Sequence, residues 1–245
     1  MQISSMFKED KFVFSLEVFP PKKTSSIDTI YNTLDNLKDT HPDFISVTYG
    51  AGGSTADTAT CDIASTILNK YGITPLAHLT CVNYDKKEIG QILDVLEDNG
   101  IKNILALRGD INPDIPPKKE FTYASELVKH IKDRGGFYIS GACYPEGHVD
   151  AENIDKDIEN LKIKVDAGAE HLVSQLFFDN TYFYSFVEKT RKAGIKVPIQ
   201  AGIMPVLNKS QIERMVTLCG ASLPSKFTKM MQRFEHSPEA LREAG

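Results

Sequence analysis

Glu17 is a carboxylate set inside an apolar segment, Phe14-Ser-Leu-Glu-Val-Phe-Pro-Pro-Lys22, that two prolines bring to a stop. Side chains alternate along a strand, so Phe12, Phe14, Leu16 and Val18 share one face, and Val13, Ser15, Glu17 and Phe19 share the other. The pattern predicts a largely enclosed face for Glu17, near the strand's C-terminal end and among Phe19, Pro20 and Pro21. Loss of hydration there disfavours the ionised form and moves the carboxyl towards the range of a proton donor. The competing reading is a structural ion pair with Lys22 or Lys23.

A second candidate is Leu105-Ala-Leu-Arg-Gly-Asp110, which delivers a cation and a carboxylate around a glycine that lets a ligand approach the backbone. The fork of Arg108 suits a phosphate; the plainer alternative is a turn salt bridge with Asp110. His78 lies in an apolar run, where a lone histidine is more often a hydrogen-bonded core residue. No H-x-H or H-E-x-x-H spacing accompanies it, so no metal is expected. In 153–167, Ile154, Ile158, Leu161 and Val165 recur at core spacing, and Asp157, Asn160 and Lys164 form a stripe beside them. That stripe suits a ribose and a phosphate, or else is a solvated flank. Gly50-Ala-Gly-Gly-Ser-Thr55 is glycine-rich before a helix, yet neither a G-x-G-x-x-G nor a P-loop pattern is present.

The elements that must position these groups alternate in type. Strands are predicted at 12–19, 44–48, 74–80, 103–107, 137–143, 171–176 and 197–203. Helices are predicted near 27–38, 55–70, 86–99, 123–134, 153–167, 180–193 and 208–219, with Gly72, Gly100, Gly135, Gly168 and Gly194 marking turns. Such a βα array, without a linker-like break, predicts an α/β fold of the (β/α)8 TIM barrel type as a single domain over 1–245. In that fold the active site forms at the C-terminal ends of the strands. Glu17, Thr48, His78, Arg108, Tyr144, His148 and Gln175 all fall at or just beyond such ends. Closure needs eight strands and the pattern supplies seven before Leu223-Pro224 and a helical stretch from about Ser225. Seven βα units are therefore expected, with the barrel open, closed by the terminal segment or completed by another chain. On that expectation a version with a final unit is more stable, and cofactor binding survives better than turnover.

The chain has 245 residues, 41% of them hydrophobic, sufficient for a sizeable core. Lys+Arg 28 against Asp+Glu 33 gives a net charge of -5 with no basic run, which argues against a nucleic-acid partner. The N-terminus has no apolar targeting region and no apolar run is long enough for a bilayer, so a soluble, cytoplasmic protein without membrane contact is expected. Cys61, Cys81, Cys143 and Cys219 form no C-x-x-C pair. They predict buried thiols, neither a disulfide framework nor a zinc site.

Taken together, Leu16-Glu-Val-Phe-Pro-Pro-Lys22, Ser46-Val-Thr-Tyr-Gly-Ala-Gly-Gly-Ser54, His78-Leu-Thr-Cys81, Leu107-Arg-Gly-Asp110, Tyr144-Pro-Glu-Gly-His148 and Gln175-Leu-Phe-Phe-Asp179 resemble the bacterial-type methylenetetrahydrofolate reductases. The resemblance runs in order from about residue 10 to 235. It implies a (β/α)8 barrel with non-covalent FAD, in one-carbon metabolism, that reduces 5,10-methylenetetrahydrofolate to 5-methyltetrahydrofolate. It further implies Glu17 as general acid and Asp110 as the acidic group beside the flavin. Thr48, His78, Arg108, Gly109, Tyr123, Ala124, Tyr144, His148, Asp157, Asn160 and Lys164 match FAD-binding positions, and Gln175 and Gln211 match substrate-side positions. Protonation of the folate N10 by Glu17 would open the five-membered ring, so a neutral Glu17 is required first. Met215 stands where the family usually carries a bulky aromatic, and the eighth unit is absent from the pattern. The electron donor thus stays open among NADH, NADPH and an electron-transfer partner protein, as does homo-oligomer formation. The alternatives are an FAD-carrying or non-catalytic subunit of a larger complex, and a flavin-free barrel lyase or aldolase.

Overall fold

The computed structural model describes residues 1–21, 26–49, 58–111 and 116–245. In chain order the elements are β1 Ser15–Val18, α1 Asp28–Leu37, β2 Phe44–Val47, α2 Thr58–Tyr71, β3 Thr74–Thr80, α3 Lys86–Asp98, β4 Asn103–Leu107 and α4 Ala124–Arg134. There follow β5 Tyr138–Cys143, α5 Ile154–Asp166, β6 His171–Ser174, α6 Asn180–Lys192, β7 Ile199–Gln200, α7 Lys209–Cys219, α8 Ser225–Arg233 and α9 Pro238–Ala244. The strands order as β1-β2-β3-β4-β5-β6-β7 in one sheet. Parallel strands following one another with a helix after each are the (β/α)8 barrel architecture, here with seven strands among the described residues.

The chain divides into two compact units, the first comprising 1–141 and 164–171, the second 142–163 and 172–245. In the first unit β1 pairs with β2, β2 with β3, β3 with β4 and β4 with β5, all parallel. Every residue of β2 is buried, as expected of a parallel strand covered on both faces. Ile45, Val47, Ala77, Leu79, Ile104, Ala106 and Ile139 meet Ile67, Leu93 and Val128 of the helices in one apolar layer. The opposite strand face carries the buried polar residues Ser46, His78, Asn103 and Ser140. Local sequence sets the helices: Asp85 and Glu88 close a capping box on α3, which then buries Ile89, Leu93 and Leu96 at helical spacing. Each of the five turn-marking glycines has a positive φ.

The N-terminal segment closes over strand starts in this unit. The Ile3 N–H donates to Asn103 Oδ1 at 3.1 Å and Asn103 Nδ2 donates to the Met1 carbonyl at 3.0 Å. Phe7 stacks on His171 at 4.8 Å, and Ser140 Oγ lies 3.0 Å from His171 Nδ1.

In the second unit β6 pairs with β7, and the Gln175 N–H reaches the Cys143 carbonyl at 2.8 Å. At Gly202 the β7 end passes so close to β6 that an added Cβ would stand 2.2 Å from the Ser174 carbonyl oxygen. Val206, Ile212, Met231 and Leu241 form a separate core that joins α7, α8 and α9 to the segment after β7.

Two strands are shorter than their apolar patterns. β1 begins at Ser15 and not at residue 12, and Phe12 and Phe14 are 83% and 37% exposed. β7 is two residues long within the predicted 197–203. Both stand at the ends of the strand order of the described residues, where each has one neighbour in that order to hold its flanking residues extended. Cys61, Cys81 and Cys143 are buried free thiols and Cys219 is partly exposed.

Candidate active site

The ends of β1, β2, β3 and β4 converge within the first unit. Glu17 and Ser46 are direct partners in the β1–β2 register, and Ser46 Oγ donates to Glu17 Oε2 at 3.2 Å. From β3, His78 Nε2 lies 3.5 Å from the same oxygen. Burial pushes the Glu17 carboxyl above the usual carboxylate range, and the Ser46 hydrogen bond opposes the rise only in part. Burial also holds the His78 imidazole down to about 4. The imidazole is therefore neutral near neutral pH, and the contact is not an ion pair. His78 Nε2 is buried without a hydrogen-bond partner, which replaces the expectation of a satisfied core histidine.

The surroundings of Glu17 differ from the predicted enclosure. Its side chain keeps 45% of its surface exposed and Phe19 is 58% exposed, so the Phe-Pro-Pro segment does not cover it. The neighbours come instead from β2 and β3, because the parallel register sets strand ends side by side. Glu17 thus stands partly buried with solvent on one side. Lys22 and Lys23, its proposed ion-pair partners, lie outside the described residues, as do Gly50 to Thr55.

Around this pair the backbone is tied down. The Thr48 N–H donates to the Val18 carbonyl at 3.0 Å, and the Thr48 carbonyl accepts from Thr60 Oγ1 at 3.0 Å. The Arg108 carbonyl accepts from both Cys81 and Val82 N–H, at 3.1 and 2.8 Å, and Arg108 Nε donates to the Gly109 carbonyl at 3.2 Å. Gly109 has φ +87, where an L side chain is strained, and an added Cβ would stand a tight 3.0 Å from Thr80 Cβ. Cys81 is no nucleophile, since burial pushes its thiol up to about 12. Asp110 is exposed beside this turn, Tyr123 is 63% exposed immediately before α4, and Ala124 opens that helix. Lys164 is half-buried near the end of α5.

The second unit brings three predicted residues together. Tyr144 meets His148 edge to face at 4.6 Å, and Asp157 Oδ2 accepts from the His148 N–H at 3.2 Å. His148 Nδ1 accepts from the Asp150 N–H at 3.0 Å, which fixes the tautomer of the neutral ring and leaves Nε2 as a donor. Asp157 is buried, but Asn160, one turn further on, is exposed, so the stripe divides into a structural member and a solvated one. Gln175 Oε1 accepts from the Leu176 N–H at 2.8 Å, so the side chain presents its amide NH2. Gln211 is exposed in the first turn of α7, whose Asn208 cap accepts its N–H at 3.1 Å.

Two residues carry polar structure that sequence reasoning did not single out. Ser46 sits in the otherwise apolar run Phe44-Ile-Ser-Val47, and a hydroxyl buried in a parallel strand needs a partner; that was its signal. Asn83, just beyond β3, has a buried Oδ1 without a partner, and nothing in its spacing marks it.

Each unit, taken by itself, carries donors of a kind that suits part of a flavin dinucleotide. Arg108 and the His148 Nε2–H are donors of the sort phosphates require. Among the described residues His78 Nε2 and Asn83 Oδ1 are buried polar atoms without a hydrogen-bond partner. Among the described residues no cluster of His, Cys, Asp or Glu could hold a metal ion, and no helix is long and apolar enough to cross a membrane.

A family model described as methylenetetrahydrofolate reductase matches residues 2–245. Methylenetetrahydrofolate reductase (NADH) 1 of Arabidopsis thaliana is 37% identical over all of this chain, which spans 44% of that protein. The 5,10-methylenetetrahydrofolate reductases of Pectobacterium carotovorum and Escherichia coli are 36% identical over 94% of this chain, spanning 76% and 77% of theirs. The chain thus covers less than half of the plant relative. Among solved structures, an uncharacterised Clostridium thermocellum protein that binds two copies of 5-methyl-5,6,7,8-tetrahydrofolic acid shares the fold, with TM-score 0.65 and 16% identity over 95% of this chain and 80% of its own. The tryptophan synthase α-subunit of Pyrococcus furiosus shares it with TM-score 0.54 and 12% identity, over 94% of this chain and 93% of its own.

Proposed function

The chain belongs to the methylenetetrahydrofolate reductase family, and from that premise we propose that it catalyses the flavin-dependent reduction of 5,10-methylenetetrahydrofolate to 5-methyltetrahydrofolate. The observation that carries the reading is the Glu17 carboxyl, raised by burial yet open to solvent at the end of β1. A carboxyl of this kind is protonated at a pH where an ordinary one is ionised, so it can deliver a proton to the folate N10. Loss of that proton leaves a carboxylate that Ser46 already stabilises.

FAD, when bound, supplies the two-electron carriage between donor and folate. In the first unit, Arg108 would take a phosphate, with Thr48, His78, Gly109, Asp110, Tyr123, Ala124 and Lys164 as further contacts. In the second unit His148, held by Tyr144 and Asp157, would donate from Nε2, with Asn160 a further contact. Gln175 and Gln211 are assigned to the folate, for which amide donors suit a polar heterocycle. The donor is assigned as a nicotinamide nucleotide, NADH being the one in the names of the plant relatives.

The half-reactions test this. The purified protein should show a flavin absorption band, NADH should bleach it, and methylenetetrahydrofolate should restore it. Glu17→Gln is nearly isosteric but cannot donate the proton, so it should keep the flavin and its bleaching while folate-driven recovery slows roughly 100- to 10,000-fold. Recovery at the wild-type rate in that variant would remove Glu17 from the chemistry. A colourless protein that takes up no added FAD would overturn the assignment.

A further inference from the structure

The geometry points to Ser46 as the positioning residue that occupies one carboxyl oxygen of Glu17 and leaves the other to carry the transferable proton. This deepens the reading above and rests on Glu17 as the acid.

Among the described residues both polar neighbours of Glu17 approach Oε2: Ser46 Oγ at 3.2 Å and His78 Nε2 at 3.5 Å. Neither contact involves Oε1. A protonated carboxyl carries one O–H and one carbonyl-like oxygen, and the oxygen already accepting a donor is the carbonyl-like one. Donation from Ser46 therefore selects Oε1 for the proton. The arrangement is set by the backbone, since Glu17 and Ser46 are register partners in the β1–β2 ladder. Ser46 is 6% exposed, so its hydroxyl has no alternative partner in bulk water. A buried hydroxyl stripped of its acceptor is costly, which holds the bond in place.

Among the described residues few other groups act on Glu17. β2 contains no titratable side chain over Phe44–Val47, and β3 contributes only His78, kept neutral by burial. α1 packs on the other strand face, where its Asp35 is engaged by Tyr71 and Lys70. Hydrogen bonding from Ser46 favours the ionised carboxyl. The same contact that orients the proton thus eases its departure.

The test follows the Glu17 carboxyl directly, by the infrared C=O stretch of its protonated form, identified by subtraction of Glu17→Gln, across a pH titration of the protein without substrate. Ser46→Ala should move this titration to higher pH and alter the stretch, because a hydrogen bond to the carboxyl oxygen is lost. Ser46→Thr should restore both. In the folate half-reaction Ser46→Ala should slow recovery roughly threefold to tenfold and shift its pH profile with the infrared titration, while flavin bleaching by NADH stays unchanged. If Ser46→Ala folds poorly, Ser46→Cys, nearly isosteric and a weaker donor, should give a smaller shift in the same direction. An unmoved Glu17 titration in folded Ser46→Ala or Ser46→Cys protein overturns the proposal. Failure of the wild type to reduce folate would overturn the reading of the reaction instead, while the titration still decides whether Ser46 holds Oε2.

Discussion

Glu17 draws its proton affinity from burial and yields part of it to Ser46, while His78 and His171 show burial acting alone on a base. Each imidazole is held down to about 4, against an unfolded value near 6.5, so both are neutral in the folded protein at neutral pH. A depressed base contributes stability that is present above the unfolded value and is lost as pH falls through the folded one. Stability should therefore drop between about pH 6.5 and 4, on the order of a few kcal/mol for each histidine. Glu17, raised instead, works in the opposite sense over its own range. Urea midpoints measured against pH should show the loss, and His171→Gln should flatten it; a slope unchanged by that substitution would show that His171 takes up no proton on unfolding. Residue chemistry was legible where a polar type broke an apolar pattern, as at Glu17, His78 and Arg108. It was less legible for Ser46, whose partner is fixed only by the pairing of two strands. The predicted cover by Phe19 failed because strand β1 ends before that ring can pack.

The βα alternation was readable along the whole chain because each helix buries one stripe and the central strands are mostly apolar runs, broken by single polar residues on one face. Helix limits lay within about three residues of prediction, aided by the glycines that stop them. Strand lengths were less readable at β1 and β7, where pairing and not composition decides extension. Gly202 passed without notice in the sequence, yet the structure makes it one of the least replaceable positions. Its missing Cβ would stand 2.2 Å from the Ser174 carbonyl oxygen, and that neighbour is backbone, which cannot rotate away. Gly202→Ala should cost about 2–4 kcal/mol, read as a lowered urea midpoint. A midpoint equal to wild type would mean that the β7 end moves freely relative to β6. Because Ser174 Oγ also accepts the Gly202 N–H at 2.9 Å, displacement should disturb the backbone leading into Gln175.

At the scale of the molecule, the seven-strand count and the family were both legible. What the sequence could not show is which distant segments secure the strand starts, since such contacts obey no period. The N-terminal residues are the main example: Gln2 donates to Glu170, 168 positions away, and Ile3 to Asn103, 100 positions away. Ile3 and Met6, 1% and 5% exposed, complete that seal. It has a consequence in time. During synthesis the partners of this segment, Asn103 and His171, are made long after it, so the seal can close only after β6 has left the ribosome. Contacts of such long sequence separation are late events in folding, and interactions absent from the transition state govern the unfolding rate. Ile3→Ala should accordingly speed unfolding several-fold and leave refolding nearly unchanged, as stopped-flow measurements of both rates would reveal. A variant that instead slowed refolding would place the N-terminal segment in the nucleus. If the expected result holds, residues 1–7 stay open to proteases and chaperones from their own synthesis until that of His171, and the folded protein is kinetically locked by a segment that had to wait for its partners.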